Sequence, residues 1–240
     1  MTQPTLILIP GWGMEEQVWE AFLPYLHDFP VHVVHWRDVE DEQDFQRRII
    51  EVAQDKEVIL VGWSLGALAA LQVHHLLQTK GIVLLGGTAK FTTDSDYIHG
   101  WKHSFVDRMS RNLLKQKDDT LKRFYMSMFS KAEQESGQDR AFLKIAEQFQ
   151  GDSIHSLQCG LHYLIETDVR EQLLQIDVPV LLLHGKDDVI CPLSVAEYIQ
   201  GKINASLTII EEAGHALCFT QAKRCAQEMI QFVKGIERND

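Results

Sequence analysis

The sequence predicts an α/β protein: a mainly parallel sheet with helices on both faces. Two observations predict this class. Short apolar runs of strand length recur along the 240 residues and alternate with helix-like stretches, which is the pattern of right-handed βαβ units. Most of these runs are continuous rather than alternating, as expected for strands that are buried on both faces.

Six runs are predicted as strands, in chain order TLILIPG (5–11), VHVVHW (31–36), EVILVG (57–62), GIVLLGG (81–87), VPVLLLHG (178–185) and ASLTIIEEAG (205–214). The predicted helices include EEQVWEAFLPYL, DEQDFQRRIIEVAQ, LGALAALQVHHLL, LSVAEYIQGKI and a last one over about 219–236. These elements alternate except in one place.

The alternation breaks over residues 91–170, where no strand signal appears and apolar residues instead fall at helical spacing. Phe105, Met109 and Leu113 share one such stripe. A block inserted after a strand emerges at the carboxyl end of the sheet, where open α/β proteins bind ligands. We therefore expect a core made of residues 1–90 and 171–240, and a helical lid, residues 91–170, over a pocket.

Composition excludes several classes of function. The net charge of −11 argues against a nucleic-acid or anionic membrane partner, because such a field repels phosphates. No stretch approaches the roughly 18 apolar residues of a membrane span, and no basic segment precedes the first apolar run, so we expect a cytoplasmic protein. The four cysteines form no CxxC pair and the histidines no metal cluster, so we expect free thiols and no metal or organic cofactor. We also expect a monomer.

The stretch GWSLG places Ser64 between a predicted strand and a predicted helix, with Gly62 and Gly66 two residues to either side. This is the G-x-S-x-G pattern of a nucleophile elbow, in which a strained turn exposes the serine hydroxyl. The backbone N–H of Leu65 would lie at the positive end of the helix, facing any anion that forms beside Ser64.

A serine nucleophile needs a base and a carboxylate that orients it. His215, in EEAGHAL after the last strand, is the predicted base, whereas His184 lies inside a strand and is expected to pack in the core. Asp187 and Asp188 both follow the preceding strand, and we favour Asp188 as the partner of His215, since it is the third residue after the turn glycine.

The first strand ends in IPGWG, where a second oxyanion donor is expected. The backbone N–H of Trp12 is the candidate. Its indole could equally form a wall of an acyl pocket.

With these motifs the chain resembles the α/β-hydrolases, in particular the pimeloyl-[acyl-carrier protein] methyl ester carboxylesterases of biotin synthesis. The segments that carry the resemblance are GWGMEEQVW, GWSLGALAA, TAKFTTDSDYIHGW, KRFYMSM and LHYLIETDVREQLLQIDVPVLLLHGKDDVICP. The chain departs from the family at Pro10, where a histidine is common, and it lacks the proline that often follows the base.

The resemblance implies an α/β-hydrolase fold, a triad of Ser64, Asp188 and His215, and Trp12 and Leu65 as oxyanion donors. It also implies a substrate channel along the lid residues Phe124, Tyr125, Met126, Ser127 and Met128.

The expected function is a serine carboxylesterase that forms an acyl-enzyme, with the methyl ester of an acyl chain on acyl carrier protein as substrate. The same triad also serves short-chain esterases, thioesterases, C–C hydrolases and perhydrolases, and the fold also serves as a non-catalytic ligand-binding regulator.

Charge separates the lid from the rest of the chain. Residues 102–131 contain eight basic and three acidic side chains, a net charge of +5. Acyl carrier proteins are acidic, so Lys122 and Arg123 are predicted to help dock one. The alternative is an ordinary solvated helix face.

Overall fold

Six strands form one fully parallel sheet in the computed structural model, which describes residues 3–238. Its spatial order is β2-β1-β3-β4-β5-β6. The strands are β1 (Thr5–Ile9), β2 (Val31–Val33), β3 (Glu57–Trp63), β4 (Gln78–Leu85), β5 (Val180–Gly185) and β6 (Ala205–Ile210). The α/β class and the six predicted strands are therefore confirmed.

Helices follow the strands as the parallel connections require. In the described residues they are α1 (Gln43–Ala53), α2 (Leu65–Val73), α3 (His103–Ser127), α4 (Lys131–Glu135), α5 (Gln138–Ala146), α6 (Ile154–Glu166), α7 (Leu193–Gln200), α8 (Leu217–Thr220) and α9 (Ala222–Glu237). The middle strands lie at the centre of the core, where residues 6–9 and 58–61 have no exposed surface.

One predicted helix is wrong. The stretch EEQVWEAFLPYL forms two short 3₁₀ turns, Glu16–Trp19 and Leu23–Tyr25. Pro24 explains the difference, because a proline inside a continuous helix removes a backbone donor and clashes with the preceding turn. In the second 3₁₀ turn Pro24 lies near the start, where its missing N–H costs nothing.

Helices α3 to α6 all lie between β4 and β5, and among residues 91–170 the structure forms only isolated β-bridges, with no strand of the sheet. Helix α3 is broken at Gln116, whose backbone (φ −156°, ψ 66°) is not helical. The hydroxyl of Thr120 donates to the carbonyl oxygen of Gln116 at 2.8 Å, next to this break. Helix α3 therefore consists of two arms.

The four cysteines, all described, are free and buried. Burial raises the pKa of Cys191 and Cys218 well above the ordinary thiol value. Within residues 3–238 no helix combines the length and apolar character needed to cross a membrane.

Candidate active site

Ser64 lies directly after β3 and caps the start of α2, with a strained backbone at φ 58° and ψ −119°. Glycine is needed on both sides of it. A Cβ on Gly62 would lie 2.5 Å from the Cα of Ala67, and a Cβ on Gly66 would lie 2.1 Å from the backbone oxygen of Ile9. Strand and helix therefore approach closely at this turn, as the G-x-S-x-G pattern predicts.

Asp188 and His215 form a buried pair. The Nδ1 of His215 lies 2.7 Å from Oδ2 of Asp188, and the two residues are 1% and 4% exposed, respectively. The other carboxylate oxygen, Oδ1, accepts hydrogen bonds from the backbone N–H groups of Ile190 and Cys191, both at 2.8 Å. These donors fix the carboxylate, so its second oxygen faces the imidazole.

The tautomer of His215 follows from this pair. A carboxylate only accepts hydrogen bonds, so Nδ1 is the donor and Nε2 is left with its lone pair. In residues 3–238 this buried Nε2 has no hydrogen-bond partner. Next to Ser64, the indole Nε1 of Trp63 donates to the carbonyl oxygen of His215 at 2.9 Å, which links the elbow to the histidine loop. The unpaired Nε2 is the atom that could accept a proton.

Neither competing residue forms this pair, although Nε2 of His184 lies 3.7 Å from Oδ2 of Asp188. Asp187 is exposed, and its backbone N–H bonds to the carbonyl oxygen of Ala213. His184 is buried in β5, and its Nε2 donates to the carbonyl oxygen of Cys191 at 2.7 Å. Burial lowers the pKa of His184, which favours a neutral core histidine.

The proposed oxyanion donors are both on buried residues. Among the hydrogen bonds of residues 3–238, the backbone N–H groups of Trp12 and Leu65 have no protein acceptor. The indole Nε1 of Trp12 donates to the carbonyl oxygen of Leu157 at 2.8 Å, and its ring packs edge-on against Phe124 with centroids 5.1 Å apart. Trp12 also lines the cavity at Ser64. Its roles as an oxyanion donor and as a wall of an acyl pocket both stay predictions.

The cavity at Ser64 is narrow, about 10 Å³. The core and the insertion both line it, through Trp12, Ser64, Phe91, Trp101, Val106, Met109, Phe124, Leu161, Leu164 and Ile190. A wider cavity of about 590 Å³ lies in the bend of α3 and shares Trp101, Met109 and Phe124 with the narrow one. The wider cavity therefore adjoins the space at Ser64.

Among the five residues of the predicted channel, Phe124 lines the narrow cavity. Ser127 lines the wider one, and Met126 is 42% exposed. Tyr125 faces a third cavity and donates its hydroxyl to the carbonyl oxygen of Gly13 at 2.7 Å. Met128 is buried, and its carbonyl oxygen accepts a hydrogen bond from the backbone N–H of His215 at 2.6 Å.

Lys122 and Arg123, neighbours in sequence, line different cavities. Arg123 lines the wider cavity beside Ser64, together with Lys102 and Arg108. Lys122 lines the third cavity, of about 500 Å³, on the other side of α3. The two predicted docking residues are thereby separated.

Sequence reasoning missed several wall residues, including Trp101, Leu161 and Leu164. Trp101 lies before α3 and outside any helix, and the apolar residues of a helix do not by themselves tell which neighbour they pack against. In residues 3–238 no group of three His, Cys, Asp or Glu side chains is arranged to hold a metal ion.

Comparison with known proteins identifies the family. The alpha/beta hydrolase family model matches residues 6–228, and the chain belongs to this family. The chain is also 30% identical over 247 residues to a protein of Vibrio atlanticus named pimeloyl-[acyl-carrier protein] methyl ester esterase, with 96% of this chain and 95% of that relative covered. The resemblance seen in the sequence is thus confirmed.

Two further matches agree. A protein of Nitrosomonas europaea with the same name is 30% identical over 224 residues, covering 89% of each chain. The solved structure of an esterase from Exiguobacterium antarcticum has a TM-score of 0.83 at 21% identity, covering 97% of this chain and 92% of that one. At that identity the structure supports the shared fold.

Proposed function

We propose that this chain hydrolyses the methyl ester of an acyl group carried by acyl carrier protein, in biotin synthesis, through an acyl-enzyme on Ser64. The class is that of a carboxylic ester hydrolase, as the family and the named relatives show. The observation that carries the mechanism is the buried Asp188–His215 pair, whose unpaired Nε2 lies at the same sheet edge as Ser64.

Acylation uses the pair as a base. Ser64 Oγ attacks the ester carbonyl carbon while Nε2 of His215 takes the hydroxyl proton, and Asp188 stabilises the imidazolium that forms. The backbone N–H groups of Trp12 and Leu65 donate to the oxyanion of the tetrahedral intermediate. The bond between the acyl carbon and the alcohol oxygen then breaks, and His215 gives its proton to the departing alcohol.

Deacylation repeats these steps with water. His215 takes a proton from the water that attacks the acyl carbon, the bond to Ser64 Oγ breaks, and the proton returns to the serine. Nucleophile, base and donors all come from the chain, so the reaction proposed here requires no cofactor.

The substrate proposal rests on the named relatives and on the charge of the insertion. Two relatives named for a carrier-linked methyl ester match nearly the whole chain. The wider cavity, which adjoins the space at Ser64, is lined by three basic residues, Lys102, Arg108 and Arg123. An acidic carrier would deliver its acyl chain there. We also propose that residues 91–170 form the lid. We further propose that the enzyme is cytoplasmic and monomeric.

The test is a series of p-nitrophenyl esters of increasing chain length, followed by a carrier-bound methyl ester, with Ser64→Ala and His215→Ala as controls. We expect turnover by the wild type and a loss of about 10⁴-fold or more in each variant, because triad members act as a unit. Unchanged melting temperatures would show that both variants fold.

Absence of turnover on every ester would favour the non-catalytic regulator instead. Full activity in Ser64→Ala would contradict the acyl-enzyme. Turnover of the p-nitrophenyl esters but not of the carrier-bound ester would support the esterase activity and contradict the proposed substrate.

A further inference from the structure

Three hydrogen bonds join one short segment of the insertion, residues 128–133, to the loop that carries His215. With the donor first, they are His215 N to Met128 O (2.6 Å), Ser130 Oγ to Glu212 O (2.5 Å) and Gly214 N to Glu133 Oε2 (3.0 Å). Each bond spans more than 80 residues of sequence. The position of the histidine loop therefore depends on the insertion as well as on β6.

Glu133 is the charged member of this set. Its Oε2 also accepts a hydrogen bond from Ser130 N at 2.8 Å, and its own N–H bonds to Ser130 Oγ, which completes a capping box at the start of α4. Capping alone does not require burial, yet Glu133 is only 2% exposed. Burying a carboxylate is costly without additional partners, and the bond to Gly214 N supplies one outside the helix.

Close backbone packing reinforces the contact. A Cβ on Gly214 would lie 2.4 Å from the carbonyl oxygen of Met128 and 2.7 Å from the backbone nitrogen of Ser130. Only glycine therefore allows this approach, and a shift of the segment would displace the backbone directly before His215.

We propose that Glu133 is a positioning residue for the reaction. Its carboxylate holds the backbone of Gly214 so that Nδ1 of His215 meets Asp188 and Nε2 stays available to Ser64. This inference rests on the proposed role of His215 as the base. A displacement of about 1 Å in such a group can cost about 100-fold in rate.

The test compares Glu133→Ala and Glu133→Gln with Glu135→Ala, a matched control on the same helix whose side chain is 70% exposed. On p-nitrophenyl butyrate we expect Glu133→Ala to lower kcat by about 10- to 100-fold with KM within about two-fold. Glu133→Gln should retain at least about a third of kcat, because its amide oxygen still accepts from both N–H groups. Glu135→Ala should behave as the wild type.

Hydrogen exchange gives a second readout that needs no substrate. The peptide that contains residues 212–215 should exchange faster in Glu133→Ala than in Glu135→Ala. If Glu133→Ala does not fold, Glu133→Asp replaces it, since the shorter side chain withdraws the carboxylate from Gly214 N. A loss of about 10-fold in its kcat is then expected.

Three results would overturn the proposal: wild-type kcat in Glu133→Ala (or Glu133→Asp), equal losses in Glu133→Ala and Glu133→Gln, or a change in KM alone. Ser64→Ala and His215→Ala are measured in the same assay. If either keeps its activity, the proposed function fails; if both lose activity and Glu133→Ala does not, only the role of Glu133 fails.

Discussion

The α/β core and the helical insertion contribute different parts of the site around Ser64. Ser64, Asp188 and His215 each follow a strand of the core, β3, β5 and β6, at one edge of a parallel sheet. The insertion contributes most of the apolar wall, including Trp101 and Phe124. Strand register thus positions these three residues, whereas helix packing shapes the cavity beside Ser64.

The two regions also differ in how their backbone is held. The four inner strands, β1, β3, β4 and β5, bond to neighbours on both sides and are mostly buried, while α3 breaks at Gln116 and exposes Leu114 and Met126. Regions with exposed apolar groups and fewer tertiary partners are generally the ones that open locally. We therefore expect changes in the core to act on the proposed chemistry and changes in the insertion to act on substrate selection, except near Glu133.

The largest effect should come from the carboxylate of the core. In Asp188→Asn the amide oxygen can still accept from Ile190 N and Cys191 N, which turns the NH₂ toward Nδ1 of His215 and stabilises the wrong tautomer. We expect kcat to fall by about 10⁴-fold. Asp187→Asn is the matched control and should stay near the wild type, so a loss in Asp187→Asn without one in Asp188→Asn would reverse the assignment.

A smaller effect is expected from charge in the insertion. Arg123→Glu should lower kcat/KM for a carrier-bound ester by about 10-fold, because charge complementarity acts mainly on association rate. Lys122→Glu, on the other side of α3, should have less effect, and small p-nitrophenyl esters should be unaffected by either.

Salt provides the internal check on this prediction. The loss in Arg123→Glu should shrink as salt is raised, since exposed charges are screened beyond about 10 Å at 0.1 M. Equal losses on carrier-bound and small esters would instead indicate damage to the helix.

Chain-length preference should respond to Phe124. Removing its ring in Phe124→Ala enlarges the narrow cavity at Ser64, so the optimum should move to longer p-nitrophenyl esters, by about three- to ten-fold in relative kcat/KM. Leu114→Ala, also on α3 and 63% exposed, is the control. An unchanged length profile in Phe124→Ala would mean that other walls set the limit.

The smallest effect is on the stability of the core. Burial lowers the pKa of His184 below its ordinary value, so the unfolded state binds more protons as pH falls below about 6.5. The free energy of unfolding should therefore decrease on acidification, by up to about 1.4 kcal/mol per pH unit for this group. Urea unfolding from pH 7.5 to 5.5 should show a shallower slope in His184→Gln, and parallel slopes would contradict the prediction.

Much of the core could be predicted from sequence, because buried parallel strands are continuous apolar runs and their carboxyl ends meet at one edge. The pattern of strands alone therefore predicts that Ser64, Asp188 and His215 lie near one another. The sequence could not exclude Asp187, because Asp187 and Asp188 are neighbours in one turn and differ only in the direction in which their side chains point. The structure pairs Asp188 with His215; their catalytic roles stay predictions.

The insertion could be predicted far less well. Helical stripes give a buried face but not its partner, and the break at Gln116 changes the direction of α3 without a proline or glycine to mark it. Lys122 and Arg123 therefore looked equivalent in sequence yet line different cavities. The contact between Glu133 and Gly214 joins distant segments, and no local pattern encodes it.

The backbone conformation of Ser64 costs stability, but the proposed activity needs a serine at this position. A positive φ at a residue other than glycine costs on the order of 1–3 kcal/mol, and at Ser64 φ is 58°. Glycine would adopt this conformation more easily but has no hydroxyl. Selection for thermal stability alone would therefore tend to remove the proposed nucleophile, so a library screened for heat resistance needs an activity screen beside it.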